Sequence, residues 1–169
     1  MPFTPFHFGP GAAIKAIVPK QFSFTIFCFS QVVTDFETLY FMARGAHPLH
    51  QFFHTCVGAT FVGFFSVFAG RPICQLALRI WSRSPHMPFK EFFPTETVIP
   101  WHCAATGALI GTYSHVFLDS IMHGDTKPLM PFSDANPLYM MVGPGTLHLI
   151  CLIFGLAGAF CIARRNRSA

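Results

Sequence analysis

Long apolar stretches, separated by segments rich in proline and glycine, most limit what this chain can fold into. Residues 22–43, 50–70, 96–122 and 146–163 are each close to or above the length of about 20 residues that a helix needs to cross a bilayer. Charged residues make up only 11% of the 169 residues, whereas soluble domains carry about 25%. The sequence therefore predicts an all-α, polytopic membrane helix bundle with about four spanning helices, forming a single membrane domain over residues 1–169.

Two shorter helices are predicted beside these spans. Residues 5–18 are too short to cross a bilayer, because Gly9-Pro10-Gly11 interrupts the pattern and Pro19 ends it. They predict a short N-terminal helix that is half-buried or tilted. Residues 72–83 carry Arg79 and Arg83 on one side, which predicts an amphipathic helix lying in the membrane interface.

The basic residues predict the orientation of the bundle. When the C-terminal arginines are placed in the cytoplasm, nine basic residues fall inside and two outside, as the positive-inside rule requires. The inside set is Lys15, Lys20, Arg71, Arg79, Arg83, Lys90, Arg164, Arg165 and Arg167, and the outside set is Arg44 and Lys127. We therefore expect a multi-pass protein of the inner (plasma) membrane with a cytoplasmic C-terminus.

The same charge distribution speaks against nucleic acid as a partner. The net charge is +4, but the basic residues stand in short, scattered groups and form no stripe or face. The expected partner is the lipid bilayer, and the sequence leaves the oligomeric state open.

Several histidines and carboxylates lie within or at the ends of the predicted membrane spans, where ionisable residues are rare. Each ionisable side chain at the centre of a span costs roughly 2.5–3.5 kcal/mol, so such residues are candidates for function. In the predicted topology they fall in one layer near the outer ends of the helices. The members of this layer are His7, Asp35, Glu37, His50, His54, His115, Asp119, His123 and His148.

Spacing within this layer predicts a metal site. His115 and Asp119 are four residues apart, as are His50 and His54, so on helices each pair would share a face. Imidazole with carboxylate suits zinc or a similar divalent cation. The predicted ligands are His7, Asp35, His54, His115 and Asp119. Glu37 is expected to face away in a supporting or acid–base role, and His123 and His148 to be ordinary interface histidines.

Three stretches resemble one known family. They are Met1–His7 with its early histidine, Val33–Glu37 followed by Phe53-His54-Thr55, and Gly111–Ser120 running on to Pro128–Phe132. These are similar to motifs of the inner-membrane metal-dependent hydrolase family once described as LexA-binding. The last stretch is similar to that family's G-Y-x-S-H-x-x-x-D element, with its tyrosine one place later at Tyr113. The chain departs from the family at Glu37, where a second Asp is usual, and at Thr38, where a His often stands.

The resemblance implies a hydrolase. We expect one divalent metal, zinc, to activate water at the outer face, with Glu37 and His50 as catalytic residues that carry protons. The bond cleaved would be an ester or phosphoester, and a lipid is the natural substrate because it reaches such a site laterally.

Two other hypotheses fit the same residues. The layer could be a structural metal or polar site in a non-catalytic bundle that serves as a partner subunit. Alternatively, histidines from facing helices could bind haem in an electron carrier, although haem does not need the accompanying aspartates.

Overall fold

The fold is helical throughout the part of the chain that the computed structural model describes, residues 5–83 and 97–167. No strand occurs among these residues, which confirms the predicted all-α class for them. The α-helices are α1 (Phe8–Ile17), α2 (Phe24–Ala43), α3 (Cys56–Phe65), α4 (Arg71–Ser82), α5 (Trp101–Met122) and α6 (Pro144–Arg167). Short 3₁₀ turns cover Pro5–His7 and Phe52–His54.

Helix α1 forms in spite of its glycines and proline. Gly9-Pro10-Gly11 was predicted to interrupt the helix, but it lies in the first turn, where a missing N–H costs no helical hydrogen bond. The glycine at position 9 has a packing role, since a Cβ there would overlap the carbonyl oxygen of Cys151 in α6. Close approach through small residues is typical of helix contacts in membranes.

Helices α2 and α5 form the central pair and run in the same direction. At their beginnings, the Ser23 N–H donates to the Cys103 carbonyl over 3.1 Å, and the Ser23 hydroxyl caps α2 by accepting from the Ile26 N–H. The prediction placed the start of α5 near residue 96, which lies outside the described residues. The structure starts this helix at Trp101, because Pro100 is an extended N-cap residue.

The region around α3 differs from the prediction in two ways. The helix starts at Cys56, with the Thr55 hydroxyl accepting from the Gly58 N–H, so the segment from His50 to Thr55 is not part of it. It then continues through a π-helical segment, Ser66–Gly70, directly into α4. The predicted span and the predicted interfacial helix are therefore one helical run over Cys56–Ser82.

Two helices of the described chain are long and apolar enough to cross a membrane, Cys56–Ser82 and Pro144–Arg165. This finding rests on length and composition alone. Helices α2 and α5, which correspond to two of the four predicted spans, are not among them. Only 33% and 22% of the most apolar windows of the two helices are buried, so most of that apolar surface faces outward.

Candidate metal centre

The candidate site is built around the carboxylate of Asp119 on α5, which is 3% exposed. Its Oδ2 atom faces the Nε2 atoms of His115 at 3.1 Å, His54 at 3.3 Å and His50 at 3.9 Å. Its Oδ1 atom faces the Nε2 atoms of His7 at 3.5 Å and His123 at 3.9 Å. Five imidazoles from three parts of the chain therefore point the same ring nitrogen at one carboxylate.

Four of the five predicted ligands form a compact group. Asp35, His54, His115 and Asp119 each offer a ligand atom, and these atoms lie within 4.8 Å of one another. All four are buried, with exposed fractions of 0–5%. Helix α5 supplies two of them one turn apart, as their spacing predicts, and α2 places Asp35 Oδ1 3.3 Å from His115 Nε2.

His115 is held by a hydrogen bond on the side away from the carboxylates. Its Nδ1–H donates to the side-chain oxygen of Gln31, whose amide nitrogen donates to the Ser114 hydroxyl. With the proton on Nδ1, the neutral ring has its lone pair on Nε2. That atom is buried and has no hydrogen-bond partner among the described residues, although two carboxylates lie within 3.3 Å.

His54 is held in the same manner by Glu37. The Glu37 carboxylate lies 3.3 Å from His54 Nδ1 and also accepts from the backbone N–H groups of Gln51 and Phe53. Because a carboxylate oxygen can only accept, this contact places the His54 proton on Nδ1 and turns Nε2 toward Asp119. Glu37 therefore does not face away from the site as predicted. Instead it fixes both the ring and the turn that carries it, as carboxylates behind metal-bound histidines do.

His50 has a carboxylate partner as well, in the loop after α5. Its Nδ1 atom lies 2.9 Å from Asp125 Oδ1, and Asp125 Oδ2 accepts from the backbone N–H groups of Leu49 and His50. Burial works against ionisation of Asp125, but these hydrogen bonds outweigh it and hold its pKa below the usual value. The His50 ring stacks on the His123 ring with centroids 4.3 Å apart. Burial lowers the pKa of His123, which favours its neutral form.

His7 completes the group from the 3₁₀ turn before α1. It is 2% exposed, and neither ring nitrogen has a hydrogen-bond partner within the described ranges. Its ring meets that of His115 edge-on, with centroids 4.8 Å apart. The structure thus places His7 against the same carboxylate, but on the Oδ1 side rather than with the four-residue group on the Oδ2 side.

A cavity of about 410 Å³ adjoins this centre. His50 and Asp125 form part of its wall, and Pro48, Phe52, Val57 and Met130 line much of the remainder. Its surface is mainly apolar, and Lys127 is the cationic residue in its lining. Of the five imidazoles around Asp119, His50 is the one in this lining.

The arrangement has a clear chemical requirement. Lone pairs of His54 and His115 converge with two buried carboxylates, and such a set is unfavourable unless a cation lies between its members. A divalent metal meets that need, and so do protons on the imidazoles. Imidazole and carboxylate together suit zinc and other first-row divalent ions.

Sequence reasoning missed Gln31 and Asp125, and it set His123 aside as an ordinary interface histidine. His123 lies four residues after Asp119 and therefore on its helical face, so the spacing that predicted His115 could also have found it. Gln31 lies four residues before Asp35 in an apolar stretch and could have been found in the same way. Asp125 lies in a loop, where no periodicity shows which direction a side chain faces.

Comparison with protein families, with curated proteins and with solved structures finds no match for this chain.

Proposed function

We propose that this chain is a membrane-embedded, metal-dependent hydrolase whose divalent cation, zinc, is held by Asp35, His54, His115 and Asp119. One observation carries the proposal. The Nε2 atoms of two histidines converge with two buried carboxylates, while the opposite ring nitrogens are anchored by Glu37 and Gln31. Histidines whose second nitrogen is fixed by an outer acceptor are the usual form of protein zinc ligands. His7, the fifth proposed ligand, approaches the same carboxylate from the other side.

The proposed reaction is hydrolysis of an ester or phosphoester. A zinc ion at this position would lower the pKa of a water molecule to about 7 and polarise the bond to be cleaved. The water oxygen bonds to the ester carbon or phosphorus, the bond to the leaving oxygen breaks, and the water's proton passes to that oxygen. His50 is the proposed proton carrier, because its Nε2 atom faces Asp119 while Asp125 holds its Nδ1 atom. Glu37 contributes by keeping His54 in position.

The proposed substrate is a lipid, and the apolar cavity supports this choice. His50 and Asp125 belong to its wall, so a lipid whose chain occupied the cavity could bring its ester group beside His50. The resemblance of residues 111–120 to the metal-dependent hydrolase family supports the same reaction class.

The proposed setting is the inner membrane, with α2, Cys56–Ser82, α5 and α6 as spans and the C-terminus in the cytoplasm. Large apolar side chains of α6 are exposed, among them Leu149, Phe154, Leu156 and Phe160. Exposed apolar surface of this extent is typical of a protein in contact with lipid. The nine-to-two division of basic residues supports the orientation.

A metal analysis and an activity assay together test the proposal. The full chain, purified in detergent and reloaded with zinc, should contain bound zinc and should hydrolyse chromogenic lipid esters or phosphoesters. The double variant His115→Ala with Asp119→Ala should lose both properties, while His102→Ala, a change at an exposed position early in α5, should keep both. Zinc retained by the double variant would rule out the proposed ligands.

The depth of burial favours a second candidate, a structural polar centre without catalysis. Asp35, His54, His115 and Asp119 are all 5% exposed or less, as expected for an ion or proton-sharing cluster closed by protein. Replacing zinc with cobalt separates the two candidates, because a closed site keeps its visible spectrum when azide is added and an open site changes it. A changed spectrum would argue for catalysis.

A further inference from the structure

The two oxygens of the Asp119 carboxylate face different groups. The Oδ2 side belongs to the four-residue cation site proposed above. The Oδ1 atom is buried and has no hydrogen-bond partner in the described part of the chain, although His7 Nε2 lies 3.5 Å away and His123 Nε2 3.9 Å away. A buried carboxylate oxygen without a partner is unfavourable, so this side also needs a hydrogen-bond donor or a cation.

A second set of potential ligands stands beside the same carboxylate. His50, His123 and Asp125 each offer a ligand atom, and these atoms lie within 4.8 Å of one another. His50 Nδ1 is 2.9 Å from Asp125 Oδ1, and the two imidazole rings are stacked. None of the three belongs to the first group. His123 Nε2 lies 3.9 Å from Asp119 Oδ1, and His50 Nε2 lies 3.9 Å from Asp119 Oδ2.

We infer that His50, His123 and Asp125 form a second divalent-cation site, joined to the first by the Asp119 carboxylate. This inference rests on the proposed function, because it extends the proposed single-ion centre to a two-ion centre. Carboxylates with one oxygen on each ion commonly join metals about 3.5–4 Å apart in hydrolytic sites. When the second ion is bound, His50 acts as a ligand; when the first ion alone is bound, its Nε2 atom stays available for a proton.

A two-ion centre favours phosphoesters over carboxylic esters as the substrate class. Paired cations stabilise both the attacking and the leaving oxygen of a displacement at phosphorus. The second site also lies on the side of the cavity, since His50 and Asp125 are in the cavity wall. A lipid phosphoester whose chain occupies the cavity would therefore meet the second cation with its phosphate group.

Counting bound zinc tests this inference. The detergent-purified full chain is stripped with a chelator, titrated with zinc chloride, desalted and analysed for metal per chain. We expect two equivalents in the unchanged protein and one in His123→Ala and in Asp125→Asn. Asp125→Asn removes the negative charge of the side chain but hardly changes its shape. His102→Ala is the matched control and should keep two equivalents.

The outcomes separate this inference from the proposed function. One equivalent in the unchanged protein, retained in His123→Ala and Asp125→Asn, overturns the second site and leaves the first in place. No bound zinc in the unchanged protein overturns both. Loss of one equivalent in both variants, with thermal unfolding midpoints close to that of the His102→Ala control, supports the two-ion centre. Manganese loading adds a second readout, because two ions joined by a carboxylate give an exchange-coupled magnetic resonance spectrum.

Discussion

The two ends of the α2–α5 pair differ in how they are packed. At the beginning of the pair, Gly107 lets α5 approach α2 so closely that a Cβ would lie 2.5 Å from the Ser23 carbonyl oxygen. The buried side chains there include Ile26, Ala104 and Ala108. Toward the other end, the same helices are joined by Gln31, Asp35, His115 and Asp119 through hydrogen bonds and charge.

This difference shows that the closely packed end fixes the position of α5 along α2, and the polar end depends on that position. Contact between Gly107 and the backbone at Ser23 sets how far α5 is displaced along α2. Two to three turns later, that register places Asp35 Oδ1 3.3 Å from His115 Nε2. Close apolar packing tolerates no sliding, because interiors are packed at crystal-like density. The apolar end can therefore position a charged site without contributing a ligand.

The largest effect that separates the two ends is expected from Gly107→Ala. The new methyl group would meet the Ser23 carbonyl oxygen at 2.5 Å and Ile26 Cβ at 3.4 Å. Overpacking of this kind costs about 1–3 kcal/mol, and the better helix propensity of alanine returns about 1 kcal/mol. We expect the overpacking cost to be near the upper end of its range, so the free energy of unfolding should fall by about 2 kcal/mol. Denaturant unfolding in detergent measures this change. Zinc per folded chain should also fall, because a shift of α5 along α2 would separate His115 from Asp35; an unchanged metal content would mean that the register of the site does not depend on this contact.

A smaller effect, and at the polar end, is expected from Glu37→Gln. The amide oxygen can still accept a hydrogen bond, but the charge behind His54 is lost, and such outer partners contribute about 10–100-fold in metal affinity. We expect an effect at the lower end of this range, with zinc binding weakened about tenfold. Competition with a chromogenic chelator measures the affinity, and the amount of zinc bound at saturation should not change. Asp134→Asn, an exposed carboxylate paired with Lys127, is the control. Unchanged affinity would contradict a positioning role, and complete loss of metal would make Glu37 a ligand.

The sequence predicts the helical half of the site better than the loop half. His115 and Asp119 share a helix, so their spacing of four residues is enough to place them on one face. The same spacing argument also predicted that His50 and His54 lie together, but these two residues are not on a helix with that periodicity. They lie in a turn before α3 and meet with ring centroids 4.7 Å apart, because Glu37 and Asp125 bind the backbone N–H groups of that turn. Contacts between distant segments leave no periodic signal.

The number of spans shows the same limit. Four spans are predicted from the sequence, whereas two helices of the described chain, Cys56–Ser82 and Pro144–Arg165, are long and apolar enough to cross a membrane. Helices α2 and α5 carry the polar side chains of the site, and these side chains lower the mean hydropathy of both helices. The polar residues of the proposed site therefore make α2 and α5, the helices that carry them, harder to recognise in the sequence as membrane spans.

The smallest effect is expected from Gly63→Ala in α3. This variant tests how closely α3 packs against α5. A Cβ there would lie 3.4 Å from Leu109 Cδ2 and 3.5 Å from Thr112 Oγ1, which is ordinary van der Waals contact rather than overlap. Removing a glycine from a helix interior should then stabilise the protein by at most about 1 kcal/mol. Denaturant unfolding of Gly63→Ala beside Gly107→Ala isolates the close approach, because both variants add one methyl group to a buried helical glycine. Equal destabilisation of the two would show that α3 packs on α5 as tightly as α2 does, and that the register of the site depends on both neighbours.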